Sequence, residues 1–134
     1  MSVEFNTEVG KGRMVVDYTG EAAIGAQGEL LNPEGVDLLV TTSYFYLVTP
    51  STAAATLDVG FGASKSVDNA DLHGEVPLNG GAGTAWMGLH PAVTQDAALT
   101  AGIWAAAEYL TFTTAAQSAL PCVGKLYLDY IRLP

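Results

Sequence analysis

From Val36 to Pro50 the chain reads VDLLVTTSYFYLVTP. The run is built from β-branched, aromatic and leucine side chains, with Asp37 its only charge. Such residues suit a pleated, packed surface and lose side-chain freedom in a helix. Val36, Leu38, Val40, Tyr44 and Tyr46 are read onto one face, and Leu39, Phe45 and Leu47 onto the other. Both faces are apolar over the second half, which predicts a central strand buried on both sides there. Pro50 has no N–H to give a ladder and ends the run.

Other stretches extend the pattern. RMVVDYT from Arg13 alternates, with Met14, Val16 and Tyr18 opposite Arg13, Val15 and Asp17. GEAAIGAQGELLNPEG is a long connection that can hold a short strand near Ile24. AATLDVGFGAS reads as a strand with Gly60 and Gly62 on one face, where small residues invite close approach by a loop, a sheet or another subunit. LHGEVPL reads as a short strand interrupted by Pro77, and NGGAGTAWMG as a turn leading to Trp86. The last run, CVGKLYLDYIRL, sets Leu126, Leu128 and Tyr130 against Lys125, Tyr127 and Asp129. TQDAALTAGIWAAAEYLTFTT stays open between a short helix and loop plus strand. Leu99, Ile103 and Ala107 have helical spacing, but Gly102 interrupts it and Leu110, Phe112 and Thr114 alternate.

Composition narrows the fold class. Lysine, arginine and glutamate are too few to coat surface helices, while glycine, alanine and threonine abound. Short β-prone runs between turn residues predict an all-β, antiparallel β-sandwich over residues 13–134. Residues 1–12 are polar and read as an extended N-terminal arm, in which Val3 and Phe5 alternate with polar neighbours. Tyr44, Tyr46, Phe112 and Leu128 are expected in one core.

The chain has 5 basic and 14 acidic residues, a formal charge of −9. That balance disfavours nucleic acid and anionic membrane as partners. MSVEFNTEVGKGR has no apolar segment of the signal-peptide kind, and no stretch is long and apolar enough for a membrane span. The lone Cys122 can form no internal disulfide. Synthesis in a cytoplasm-like compartment is expected.

No chemistry-bearing motif completes itself. Ser64-Lys65-Ser66 and Val59 stand where a phosphate loop needs glycines. Gly62-Ala63-Ser64-Lys65-Ser66 lacks the last glycine of a nucleophile elbow. His73, His90 and Cys122 have no zinc spacing, and Asp68-Asn69-Ala70-Asp71 lacks the alternate acids of a calcium loop. No scattered pair of carboxylates is singled out for acid–base work. Trp86, Trp104, Tyr44 and Tyr46 could make a sugar platform or simply fill a core. The expectation is no enzyme, no cofactor and no metal, and a polar rim loop around Asp68 and Asp71.

Residues 36–134 resemble the small structural proteins of tailed bacteriophages. SYFYLVTPSTAAATLDVGFGASKSVDNADLHGEV is similar to their middle portion, and EYLTFTT followed by GKLYLDYIRL to their end. The resemblance is to capsid decoration proteins, also called head auxiliary or cement proteins. It implies a jelly-roll-like sandwich on the capsid exterior of the virion, commonly a homotrimer, bound to the major capsid protein. It brings no catalytic residues. On this reading Val3, Phe5, Gly60, Gly62, Ile103 and Trp104 are the expected capsid or subunit contacts. The alternative is a carbohydrate- or receptor-binding module of a phage fibre or tail.

Overall fold

The computed structural model describes residues 10–64, 68–88 and 102–134. Among the described residues nine strands form in order: β1 (Lys11–Thr19), β2 (Gly25–Leu31), β3 (Leu38–Thr49), β4 (Thr56–Gly62), β5 (His73–Pro77), β6 (Ala85–Gly88), β7 (Ile103–Trp104), β8 (Tyr109–Ala115) and β9 (Val123–Arg132). Every strand pairing is antiparallel. Two sheets result. Sheet I runs β1-β9-β3-β6, with β7 also paired to β3, and sheet II runs β2-β8-β4-β5.

The pairings nest. β1 pairs with β9, β2 with β8, β3 with β6 and β4 with β5. The chain is thus one long ribbon doubled back on itself, and the β9–β3 and β8–β4 pairings roll that ribbon into two sheets. Alternation gives each sheet one apolar face, and those faces meet in a single core. Leu38, Phe45, Leu47, Leu57, Val59, Leu110, Leu126 and Leu128 are wholly buried in it. Tyr18 joins the layers, with its ring 6.0 Å from that of Phe45 and 5.3 Å from that of Phe112.

Two glycines serve this packing. A Cβ on Gly124 would sit 2.3 Å from Phe45 Cζ, and one on Gly12 would sit 2.5 Å from the Tyr130 ring. The outer end of each aromatic ring therefore occupies the space that a side chain on the glycine would need.

β1 and β9 alternate as their sequences predict, with Met14, Val16, Tyr18, Leu126, Leu128 and Tyr130 inward. Phe112 and Leu128 are buried as expected. β3 departs from expectation. Val40 opposes Tyr130 and Thr42 opposes Asp129, so Thr41 is an extra residue, a β-bulge. The bulge exchanges the faces beyond it. Leu38 and Val40 point inward before it; Ser43, Phe45 and Leu47 point inward after it. Tyr44 and Tyr46 are consequently exposed, at 40% and 37%, and β3 is buried on one side only.

From residue 103 on, the open stretch resolves to strand, turn and strand. Residues 103–104 form β7 and residues 109–115 form β8. Its earlier part, with Leu99, lies outside the described residues. The strand near Ile24 begins one residue later, at Gly25. Lys11 and Gly12, read as arm, belong to β1. Val3 and Phe5 lie outside the described residues.

Candidate interaction face

The outward side chains of sheet I lie in register across four strands. Val15 on β1 opposes Tyr127 on β9, Tyr127 opposes Tyr44 on β3, and Tyr44 opposes Met87 on β6. Their exposures are 50%, 38%, 40% and 73%. Tyr46, opposite Ala85, extends the apolar surface on the next row. Facing residues on neighbouring strands stand about 5 Å apart, so this is one continuous band and not scattered exposure.

Charge is arranged symmetrically about the band. On one side Arg13 Nε donates to Asp129 Oδ1 at 2.7 Å. On the other, Lys125 Nζ donates to Asp17 Oδ1 at 2.7 Å. Both pairs are cross-strand partners in the β1–β9 ladder. The hydrogen bond from Arg13 holds Asp129 below the usual carboxylate range against the opposing pull of desolvation, and Thr42 Oγ1 adds a second donor. Arg13 and Lys125 are raised in turn by their partners, Asp129 and Asp17. Exposed pairs of this kind contribute little stability. Their effect is on the charge pattern. With Lys11 on the same face, sheet I presents three cations and two carboxylates on a chain of −9. The acid excess lies elsewhere.

The face is also shaped. An open depression of about 330 Å³ is lined by Arg13, Tyr44, Tyr46, Ala85, Tyr127 and Asp129. It shares Arg13 and Asp129 with a neighbouring depression of about 720 Å³ that Thr41 and Thr42 border.

Of the expected contact residues, Gly60, Gly62, Ile103 and Trp104 are described and lie outside this band. Trp104 is wholly buried; it stacks on Phe61 with centroids 5.6 Å apart and donates from Nε1 to Glu108 O. Its ring is part of the core. Ile103 is half-buried and pairs with Leu39. Gly60 is buried under a loop of its own chain, for a Cβ there would lie 2.5 Å from Asn69 O. Gly62 is buried as well. Of the three approaches weighed for Gly60, the structure has the loop.

That loop is the polar rim around Asp68. Asp71 Oδ2 accepts from Phe61 N at 2.8 Å, Asn69 Nδ2 donates to Phe61 O, and Leu72 N donates to Val59 O at 2.9 Å. The polar residues latch the loop over β4. Asp68 is raised, first by desolvation and then by Asp58 beside it. Among the described residues, no three His, Cys, Asp or Glu side chains stand together as metal ligands do.

Among the described residues, His73 forms a buried hydrogen bond between the sheets that sequence did not place. Its Nε2 lies 2.8 Å from Ser43 Oγ, joining β5 of sheet II to β3 of sheet I. Ser43 is 0% exposed, so its hydroxyl is enclosed between the sheets. The bond is structural. Burial pushes His73 down from its ordinary value to about 4. Between pH 6.5 and about 4 the unfolded chain takes up a proton that the folded chain refuses. Stability should therefore be full above pH 6.5 and fall as pH drops through that window, by on the order of 3 kcal/mol at its foot. Urea melts across that range should show the slope, and His73→Gln should flatten it. An unchanged slope in the variant would assign the acid sensitivity to other groups.

An antiparallel two-sheet sandwich rolled from one ribbon is the class of fold that this geometry defines. No family model and no curated protein matches the sequence. Solved structures do match in fold. A chain from the capsid of Ralstonia phage GP4 aligns over 100% of this chain and 92% of its own, with TM-score 0.64 and 15% identity. A chain from the cyanophage Pam1 capsid asymmetric unit aligns over 99% of this chain and 94% of its own, with TM-score 0.56 and 15% identity.

Proposed function

We propose that this chain is a structural protein of a tailed-phage virion, carried on the outer surface of the head as a decoration or cement protein. The observation behind this is the end-to-end likeness to chains of two phage capsids, over more than nine-tenths of both partners. The nested strand order supports a jelly-roll reading of the sandwich. In this reading the protein is synthesised in the host cytoplasm, assembles as a homotrimer and binds the major capsid protein. No catalytic role is assigned to any residue. Residues 1–9 serve as an arm that orders on the shell or a neighbour by adding to a strand edge.

A second reading rests on Tyr44, Tyr46 and Tyr127 around the depression beside Arg13 and Asp129. Aromatic rings next to polar pairs suit a sugar ring, as in a fibre or tail module. Val15 and Met87 at the ends of the row are aliphatic and suit a protein partner better.

Co-sedimentation separates the two. The purified chain should pellet with phage heads that lack it, and soluble glycans should not release it. Failure to pellet, combined with retention on immobilised glycans, would favour the sugar-binding module.

A further inference from the structure

Sheet I ends on one side at β1, which pairs only with β9 among the described residues. At the two ends of that ladder Arg132 N donates to Gly10 O and Gly20 N donates to Cys122 O. Bonded residues alternate in an unbroken antiparallel register, so the even-numbered residues of β1 bond to β9. The odd-numbered ones turn their N–H and C=O to the open side. Lys11 O is taken there by Arg132 Nη1, which leaves Arg13, Val15 and Asp17 at the centre of the edge. The other sheet ends are blunted. β2 carries a register shift between Ala26 and Gly28, β5 has five residues with Pro77 and a shift against β4, and β6 has four residues. β1 runs nine residues with neither a shift nor a proline.

We propose that β1 of one copy pairs antiparallel with β1 of a second copy about a two-fold axis at Val15, so that sheet I continues from one chain into the other. The occupant is a second copy because the strand is complementary to itself in that register. Val15 opposes Val15, Arg13 opposes Asp17, and Met14 opposes Val16. Odd positions oppose odd ones, so the backbone groups left open on each strand meet each other. Moving one strand by two residues sets Val15 against Arg13 or against Asp17 instead. The ion pairs already on this face stay intact and are extended. Within each chain Arg13 bonds Asp129 and Asp17 bonds Lys125. Across the contact the row runs Asp129, Arg13, then Asp17 and Lys125 of the second copy, with the sign alternating at every step. The contact is therefore neutral in itself, on a chain whose charge of −9 otherwise opposes association. Between the two charged rows, Tyr127 and Val15 meet Val15 and Tyr127 of the second copy, and the apolar band runs through the axis. Backbone bonds give the affinity and the side-chain rows give the register, as in other strand additions. Such a contact closes at two copies and cannot build a trimer. It goes beyond the reading above and is additional to any three-fold contact.

The test is cysteine crosslinking of the full chain under mild oxidation, read on a denaturing gel, with the buried Cys122 of the unaltered chain as background. Val15→Cys should become a covalent dimer, because the axis brings the two copies of that position to about 5.5 Å between Cα atoms, within disulfide reach. Thr19→Cys alone should stay at the 13.9 kDa of one chain, whereas Lys11→Cys mixed with Thr19→Cys should crosslink. A Val15→Cys chain that stays single, a Thr19→Cys chain that crosslinks as fast, or a mixture that does not crosslink would each overturn the proposal and leave the edge to another occupant. Two further variants act without a disulfide. Val15→Lys sets like charges face to face on the axis, and Val15→Pro removes an N–H that turns away from β9. Both should abolish the two-fold association measured by light scattering. Circular dichroism with a thermal melt checks that each is folded, and the lysine variant serves where proline disturbs β1. An unchanged mass would contradict the contact. Pelleting with heads is scored separately. A chain that crosslinks at residue 15 but fails to pellet would keep this contact and sink the virion reading, and one that pellets but never crosslinks would do the reverse.

Discussion

Phe45→Ala should cost about 3–5 kcal/mol of folding stability, while Tyr44→Ala and Tyr46→Ala each stay below about 1 kcal/mol. Phe45 is 0% exposed and covers the backbone at Gly124, and its ring stands 6.0 Å from Tyr18 and 6.4 Å from Trp86. Truncation would leave a cavity between rings that are held from several strands and cannot simply collapse. Its two tyrosine neighbours face out beyond the bulge at Thr41. Urea denaturation of the three variants gives the comparison directly. Equal losses at all three positions would mean that β3 is buried on both sides after all.

Leu128→Ala should lose about 2–5 kcal/mol, the range for leucine truncation in a packed core. Leu128 is 0% exposed on β9, the strand that sits between β1 and β3, opposite Met14 on one side and Ser43 on the other. Tyr127, one residue earlier, faces out at 38% exposure and lies in the interaction band. A loss well under 1 kcal/mol at Leu128 would put the register of β9 out by one residue, since a single step exchanges the faces.

β1 and β9 were legible from sequence because an unbroken period of two assigns every side chain to a face. β3 was not, although its run is the strongest in the chain. A bulge adds one residue without any required residue type, and Thr41-Thr42 fits a regular strand equally well. The inversion of Tyr44 and Phe45 follows from that single residue. Trp104 and Gly60 are hard to read for a related reason. Small or aromatic residues mark close packing, but not whether the neighbour is the same chain or another. Here the neighbours are Phe61 and Asn69.

The candidate face was half legible. Val15 and Tyr127 belong to the polar sides of their strands, beside Arg13, Asp17, Lys125 and Asp129, and the sequence places them there. What it cannot supply is pairing register. Only the β1–β9, β9–β3 and β3–β6 ladders bring Val15, Tyr127, Tyr44 and Met87 into one row between two ion pairs. Those residues are far apart in sequence, and no local pattern joins them. The Ser43–His73 bond is hidden in the same way, because its partners come from different sheets.

If this sandwich acts as cement on a phage head, as proposed, capsid strength is the quantity it changes. Heads lacking the protein should rupture at lower temperature or lower force than complete ones, and adding the purified chain back should restore the difference. Heads that rupture identically with and without it, despite bound protein, would contradict a cement function.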